Sequence, residues 1–356
     1  MKMKYLLITV LGVCPWFVNF SSAQILTGRD TILVKERTLD RPLNVHGGQL
    51  RITAGYGINL YNHAFDAAGI KYNLVKDGVS SLRHQGILDV RYGISEHLQL
   101  GLLYGFSNET IMEKTILLYG YPAGIIGSEI NESATYKGAD DLTIQFDFRL
   151  PFRSRKFDLL VLAGSELPTG ATRLYTPENT IGLDATGQVQ QIRYNYRYAN
   201  GKGAVTPFVG AAWKHRLGSV AYTLFGNYRH SLEPVSVNRW ESYLDNGSFV
   251  NETVTTQRTL PDEIRIGGEF EMQLSPLFNV SIQAQYRSQI NSWQTSPVGN
   301  ITIADTKVVQ AGIGYELIIT PRLWLRQRLL LPFAGTSVRA GTLLQSSLSY
   351  NLFTVK

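Results

Sequence analysis

Hydrophobic and polar residues alternate along most of this chain with a period of two. The alternation is clearest over 49–61. One face carries Leu50, Ile52, Ala54, Tyr56, Ile58 and Leu60, and the other carries Gln49, Arg51, Thr53, Gly55, Gly57 and Asn59. A helix would mix these two sets, because its side chains repeat every 3.6 residues. The segment is therefore predicted to be a β-strand with one apolar and one polar face.

The same pattern predicts a further eleven strands. Six are regular, at 88–92, 98–106, 142–150, 263–272, 280–287 and 344–353, and five are less regular, at 156–167, 203–215, 218–230, 306–318 and 322–333. A total of about twelve is even, as bacterial single-chain barrels require.

The links between these strands alternate between short and long. Short links rich in turn residues lie at 93–96, 151–155, 216–218, 275–277 and 320–321. Long polar links lie at 62–83, 108–136, 168–202, 231–260 and 290–305, and a shorter final link lies at 334–341. This asymmetry is typical of outer-membrane barrels, which have short periplasmic turns and longer extracellular loops. We therefore predict an all-β fold, a transmembrane antiparallel β-barrel arranged as an up-and-down meander.

The composition agrees with a barrel. Hydrophobic residues make up 44% and charged residues 17% of the chain. No apolar stretch after the N-terminal segment reaches the roughly 20 residues that a transmembrane helix needs. Strands closed into a barrel are the other way to pair every backbone amide in lipid.

The N-terminal segment has the features of a secretory signal. Lys2 and Lys4 precede the apolar run Tyr5 to Val13, and small residues lead up to Ala23. We predict a signal peptide over 1–23, a periplasmic lead-in over 24–46 and an outer-membrane barrel over 47–356. The alternative is a lipoprotein site with an acylated Cys14, the chain's single cysteine.

Charged residues on the polar faces are predicted to line the lumen. They are Arg51, Asp89, Arg91, Asp147, Arg149, Glu263, Arg265, Glu269, Glu271, Arg287, Glu316, Arg326 and Arg328. They could form an internal salt-bridge network that narrows the barrel, or a polar track that selects solutes by charge. The near balance of signs favours the network or a weakly selective pore.

Two sets of aromatic residues are candidates for other roles. The residues near strand ends, which include Tyr92, Phe106, Trp213 and Trp324, are predicted to form interfacial girdles. The stretch 188–198 contains Arg193, Tyr194, Tyr196 and Arg197 in alternation. It is predicted to be either a strand extension above the membrane or a loop folded into the lumen, where it could form a constriction.

The sequence offers no catalytic or cofactor motif. His230 and Ser231 are adjacent, so in a strand they would point to opposite faces. The six histidines form no HxxxH or HxH metal pattern. The formal charge of +6 comes without a basic cluster, which argues against a nucleic-acid partner. We expect no enzymatic activity and no cofactor. The expected partners are outer-membrane lipid, the barrel-assembly machinery and a small-molecule solute.

Two motifs resemble a known family. Gly138-Ala139-Asp140-Asp141-Leu142 opens a predicted strand, and Gly164-Ser165-Glu166-Leu167-Pro168-Thr169-Gly170 ends the next. Together with the strand 98–106, they are similar to the outer-membrane transporter family named for the meta-pathway of phenol degradation. The resemblance covers about 84–230 and transfers no binding residue. It implies an outer-membrane channel for passive passage of a small organic solute, such as an apolar or aromatic compound. The alternative is a closed barrel with a structural or surface-binding role through its extracellular loops.

Overall fold

The computed structural model describes residues 43–74, 79–119, 126–151, 156–170, 178–183, 189–196, 203–232, 234–245, 248–296 and 299–353. Twenty strands lie in these ranges: β1 (Gln49–Phe65), β2 (Lys71–Asn73), β3 (Ser80–Gly93), β4 (Leu98–Tyr119), β5 (Ile126–Ala139), β6 (Leu142–Arg149), β7 (Phe157–Leu167), β8 (Glu178–Leu183), β9 (Val189–Tyr196), β10 (Thr206–Leu217), β11 (Val220–Arg229), β12 (Val235–Asp245), β13 (Ser248–Arg258), β14 (Asp262–Ser275), β15 (Phe278–Ile290), β16 (Ser292–Ser296), β17 (Gly299–Ile303), β18 (Thr306–Thr320), β19 (Leu323–Thr336) and β20 (Val338–Phe353). None of the described residues belongs to a helix long and apolar enough to cross a membrane.

Twelve of these strands form a closed antiparallel barrel. Their order around the wall is β1, β3, β4, β6, β7, β10, β11, β14, β15, β18, β19 and β20. The wall closes because β1 pairs with β3 on one side and with β20 on the other. Closure leaves no sheet edge with unpaired backbone groups, which is what a strand protein in lipid requires. The predicted twelve-strand meander is confirmed.

The outer surface of the barrel is apolar. Leu224, Ile266 and Ile282 are 53%, 55% and 63% exposed, and Ile313 is 62% exposed. Large exposed apolar side chains recur on most of the wall strands. The residues that alternate with them along the same strands face the interior, and most of these residues are polar. The period-two pattern thus places the apolar faces outside, toward lipid.

A charge on the outer face should destabilise the barrel. We expect Ile282→Arg to lower the free energy of unfolding by about 2–4 kcal/mol, since the arginine would lie against hydrocarbon. The matched control is Gln283→Arg on the inner face, where Glu269 is the cross-strand neighbour. Urea unfolding of both variants in the same lipid measures the difference. Equal losses would show that Ile282 does not face lipid.

Four of the five predicted short links are confirmed, and residues 152–155 of the fifth lie outside the described residues. β10 and β11, for example, are separated by Gly218 and Ser219 alone, with Gly218 at a φ of +62°. We call this the short-turn end of the barrel, and the opposite end the long-loop end. The final link is shorter than predicted. β19 and β20 extend through most of 334–341 and leave Ser337 between them, at a φ of +50°.

The long links contain the eight remaining strands. β5 extends the long strand β4 as a hairpin, and β8 and β9 continue that sheet, with β9 parallel to β5. β12, β13, β16 and β17 form a separate four-stranded sheet. The stretch 188–198 was predicted to lie outside the set of wall strands, and its described residues agree with that prediction. Its residues 189–196 form β9, which pairs outside the barrel wall.

Candidate functional site

The interior of the barrel is where the polar side chains are buried. Gln99 and Asp147 are fully buried and Asp158 is 1% exposed, while Lys214 and Arg216 are also buried. A charge buried without a partner is costly, so each of these groups must be paired or hydrogen-bonded. Three clusters of contacts satisfy them.

The first cluster joins distant parts of the wall. Arg326 on β19 donates to Glu269 on β14 and, at 3.1 Å, to Glu271. Arg328 Nη2 lies 3.4 Å from Glu269 Oε2, and Lys214 Nζ lies 3.8 Å from Glu271 Oε2. β19 and β14 are separated in the sheet by β18 and β15. These ion pairs therefore cross the concave interior.

The second cluster surrounds Asp147. Arg91 Nη1 lies 3.3 Å from Asp147 Oδ2, and Arg91 Nε donates to both carboxylate oxygens of Asp89, at 2.9 and 3.1 Å. The amides of Gln99 and Gln145 also donate to Asp147. This carboxylate therefore receives donors from three different wall strands.

The third cluster surrounds Asp158 at the start of β7. Arg149 Nε donates to Asp158 Oδ1, and Arg216 Nη2 donates to Oδ2 at 3.1 Å. The backbone N–H of Leu43 also donates to Oδ2, at 2.8 Å. Asp158 thus binds two wall arginines and a residue that precedes the first strand.

Residues Leu43–Gly48 lie inside the short-turn end, and we call them the mouth segment. Val45 is fully buried and its N–H donates to Gln99 Oε1 at 2.8 Å. Gly48 has a φ of +75°, and a Cβ at Gly93 would meet His46 O at 2.0 Å. Both glycines are needed for the chain to turn into the barrel this closely. The mouth segment narrows this end of the lumen.

Glu96, in the turn between β3 and β4, contacts the mouth segment through its carboxylate. His46 Nδ1 lies 2.9 Å from Glu96 Oε2, and the Gly47 N–H donates to Oε1 at 3.0 Å. Burial raises the pKa of Glu96, but the hydrogen bonds from His46 and Gly47 outweigh it. The net pKa lies below its ordinary value of 4.5.

This shift predicts a pH dependence. A carboxyl whose pKa is depressed by folding stabilises the fold above its unfolded-state pKa, and the contribution is lost as the pH falls through the folded-state pKa. We expect the NMR signal of the Gly47 amide to titrate with a midpoint below pH 4.5. Glu96→Gln should abolish this titration. A midpoint above that value would contradict the contacts of Glu96.

Other charged groups lie nearer the long-loop end. Arg265 Nη2 lies 2.7 Å from Glu263 Oε1, and Arg265 faces Arg287 across the strand pair. Asp262 accepts hydrogen bonds from Tyr228 and Asn291, and its Oδ1 lies 2.7 Å from His230 Nδ1.

The predicted lumen residues all lie on wall strands, as described above for most of them. Arg51 Nε donates to Asn351 Oδ1 at 3.1 Å, and Glu316 is the cross-strand neighbour of Arg326. Their part in solute passage stays a prediction. Arg193, Tyr194 and Tyr196 lie on β9, where only the backbone is described, and Arg197 lies outside the described residues.

The girdle prediction is wrong for Trp324. This residue is 7% exposed, and the Arg51 guanidinium lies 5.3 Å from its ring centroid. The physical reason is parity, because Trp324 shares its face of β19 with Arg326 and Arg328. It belongs to the lumen rather than to the membrane interface.

Several interior residues were missed by sequence reasoning. They are Gln99, Asp158, Glu166, Lys214, Arg216 and Arg229, together with the mouth segment. On β7 the inner face also carries Leu160, which is buried, so the strand reads as apolar on both faces. The signal that could have found Asp158 and Glu166 is their even spacing along that strand.

No group of three or more His, Cys, Asp or Glu residues in the described part of the chain is arranged to hold a metal ion. The contacts are instead those of ion pairs and neutral hydrogen bonds. The arrangement can stabilise a narrow, polar interior and can present arginine and hydroxyl donors to a solute.

Comparison with a solved outer-membrane channel supports the barrel fold. No protein-family profile and no curated protein matches the sequence. An outer-membrane channel from Pseudomonas putida F1 aligns with a TM-score of 0.57 at 13% identity, over 86% of this chain and 97% of that chain. The translocator domain of the autotransporter NalP from Neisseria meningitidis gives 0.43 at 9%, over 92% and 94%. The CymD monoaromatic hydrocarbon channel gives 0.43 at 9%, over 88% and 90%. With its apolar exterior, the chain is an outer-membrane β-barrel.

Proposed function

We propose that this barrel is a passive channel for a small organic solute across the outer membrane. The observation that carries the proposal is a polar cavity of about 360 Å³ inside a closed wall. Its lining includes Arg51, Asp89 and Ser347. A barrel with only a structural role would gain stability from a filled interior, since cavities cost free energy.

The mouth segment determines how the channel would open at the short-turn end. Its described ties to the wall are hydrogen bonds, each contributing about 0.5–1.5 kcal/mol or somewhat more where a charge takes part. Bonds of this strength permit displacement without unfolding the barrel. We therefore propose that passage involves movement of the mouth segment.

We also propose membership of the meta-pathway transporter family. The two motifs behind that resemblance touch each other. Gly170 N donates to Asp141 Oδ1 at 3.0 Å, and Leu142 N donates to Thr169 Oγ1 at 2.9 Å. Asp140 in the same motif accepts from Ser107 and Gln85. The motifs thus join the start of β6 to the end of β7 by hydrogen bonds, which supports a wall architecture shared with that family.

Swelling of proteoliposomes tests the channel proposal. The full chain is reconstituted and diluted into isotonic solutions of sugars of increasing size. Swelling with a pentose that falls away for a trisaccharide is expected from a narrow lumen. Protein-free liposomes and liposomes with unfolded protein are the controls. Swelling that is absent for every solute, with the barrel shown to be folded, would overturn the proposal.

One observation favours a second candidate function. The β4–β5 hairpin, β8, β9 and the four-stranded sheet extend the links at the long-loop end well beyond simple turns. Such extensions could bind a partner at the cell surface while the barrel serves as an anchor. A folded barrel that conducts nothing would favour this alternative.

A further inference from the structure

The cavity in the lumen lies against four adjacent wall strands, β3, β1, β20 and β19. Its lining is Arg51, Thr53, Asp89, Arg91, Trp324, Arg326, Arg328, Gln345, Ser347 and Ser349. Its volume of about 360 Å³ is in the range of small-molecule sites. Four of these ten side chains are arginines and one is an acid, so the groups that face the cavity are mainly cationic.

The arginines are placed close to one another. Arg51 and Arg91 are direct cross-strand neighbours. Arg326 and Arg328 lie two residues apart on the same face of β19. Like charges placed directly opposite in a sheet destabilise it. Their convergence is an arrangement that an anion in the cavity would stabilise.

Acidic side chains on neighbouring and facing strands offset part of this positive charge. Asp147 pairs with Arg91, and Glu269 and Glu271 pair with Arg326, but none of these three acids lines the cavity. Asp89 lines the cavity and binds Arg91 through Nε. These contacts fix the positions of Arg91 and Arg326, and the charged groups that line the cavity are four arginines and Asp89.

Arg51 contacts an amide and an aromatic ring in the lumen. Its Nε donates to the neutral amide of Asn351, and its guanidinium lies over the Trp324 ring at 5.3 Å. Stacking on an indole restricts the orientation of a guanidinium. A guanidinium held in one orientation loses less freedom when its fork binds a carboxylate.

Hydroxyl groups complete the lining. Thr53 Oγ1 lies 2.9 Å from Ser349 Oγ, next to Arg51 on the inner face. Ser347 and Gln345 continue the same face of β20. Hydroxyls and amides can donate to a second oxygen or to a substituent of an organic acid.

We propose that this cavity is a binding site for a small organic carboxylate, and that such anions are the solute class of the channel. The inference rests on the proposed channel function, whose solute it specifies. The fork of an arginine matches the two oxygens of a carboxylate in geometry and charge. A cavity of about 360 Å³ has room for a molecule such as benzoic acid.

Single-channel recording of the full chain, with three ligands of one size, tests the proposal. The probes are benzoate, its neutral analogue benzamide and the cation benzylamine. We expect benzoate to interrupt the current at concentrations where the other two have no effect. Inorganic phosphate is the fourth probe. Equal block by phosphate would show a general anion site and would contradict the organic part of the proposal.

Variants identify the site. Arg51→Gln should weaken the benzoate block by about tenfold or more, since a charge-assisted hydrogen bond contributes about 1.5–3 kcal/mol. Arg51→Lys keeps the charge and loses the fork, so its benzoate block should be weaker than that of the unaltered protein and stronger than that of Arg51→Gln. This variant also tests the site if Arg51→Gln does not fold. Lys137→Gln, which removes an exposed positive charge on β5, is the matched control.

The two proposals can fail separately. A current without discrimination between benzoate and benzamide would overturn the carboxylate site and leave the channel intact. A folded barrel without current would overturn the channel. In that case calorimetric titration of the detergent-solubilised protein with benzoate tests the site, and undetectable binding would overturn it as well.

Discussion

Asp158→Asn is expected to lower the free energy of unfolding of the barrel by about 3–5 kcal/mol. Asp158 is 1% exposed and neutralises Arg149 and Arg216, of which Arg216 has a side chain that is 5% exposed. The amide cannot neutralise either guanidinium, so a buried positive charge is left without its partner. Urea unfolding in a fixed lipid measures the loss.

Two controls separate this effect from ordinary substitution. Asp305→Asn makes the same chemical change at an exposed position and should cost no more than about 0.5 kcal/mol. The double variant Asp158→Leu with Arg216→Leu should recover part of the stability, because it removes the buried guanidinium of Arg216 and leaves only the partly exposed Arg149 without Asp158. If Asp158→Asn has the same free energy of unfolding as the unaltered protein, the ion pairs of Asp158 do not stabilise the barrel.

Val45→Asp is expected to increase single-channel conductance severalfold. Val45 is fully buried in the mouth segment. A carboxylate buried there without a partner costs several kcal/mol, which opposes the hydrogen bonds that hold the segment in place. The mouth segment should therefore leave the lumen while the barrel wall, whose twelve strands pair with one another, stays intact.

Val45→Ala is the matched control for this change. It removes apolar contacts without introducing charge, so the segment should remain in place and the conductance should change little. Folding of both variants is checked by the gel mobility of unheated and heated samples. A folded Val45→Asp barrel with the conductance of the unaltered protein would show that the mouth segment does not limit the pore.

The wall strands of the barrel could be predicted from the sequence because the alternation of apolar and polar residues is visible within each strand. Over residues 49–60 of β1 every outward residue is apolar or small and every inward residue is polar or glycine, so the type of each residue indicates the side it faces. The same rule failed to reveal the inner face of β7, where Leu160 and Asp158 share one side. A lumen that is packed in part by apolar side chains hides the alternation.

Other features depend on contacts between distant residues. The mouth segment lies in the lumen because Leu43 meets Asp158 and Val45 meets Gln99, partners 115 and 54 residues away. Nothing in the local pattern of 43–48 predicts those contacts. Trp324 is a different case. Its parity with Arg326 was readable, but the usual place of tryptophan at membrane interfaces suggested the wrong face.

The sequence predicted some members of the candidate site but not their grouping, and it missed Asp158, Lys214 and Arg216. The thirteen charged residues were identified from their faces alone. Which of them face the same cavity depends on the register between strands, such as the pairing of Arg51 with Arg91 and with Asn351. Register over a closed wall follows from all twelve strands together rather than from any one of them.

The central claim is that this barrel conducts small solutes through a polar lumen. Single-channel recording of the refolded full chain in a planar bilayer tests it most directly, with folding established beforehand by circular dichroism and gel mobility. The account predicts discrete current steps that become larger in Val45→Asp. A silent bilayer from folded protein, with Val45→Asp equally silent, would contradict it.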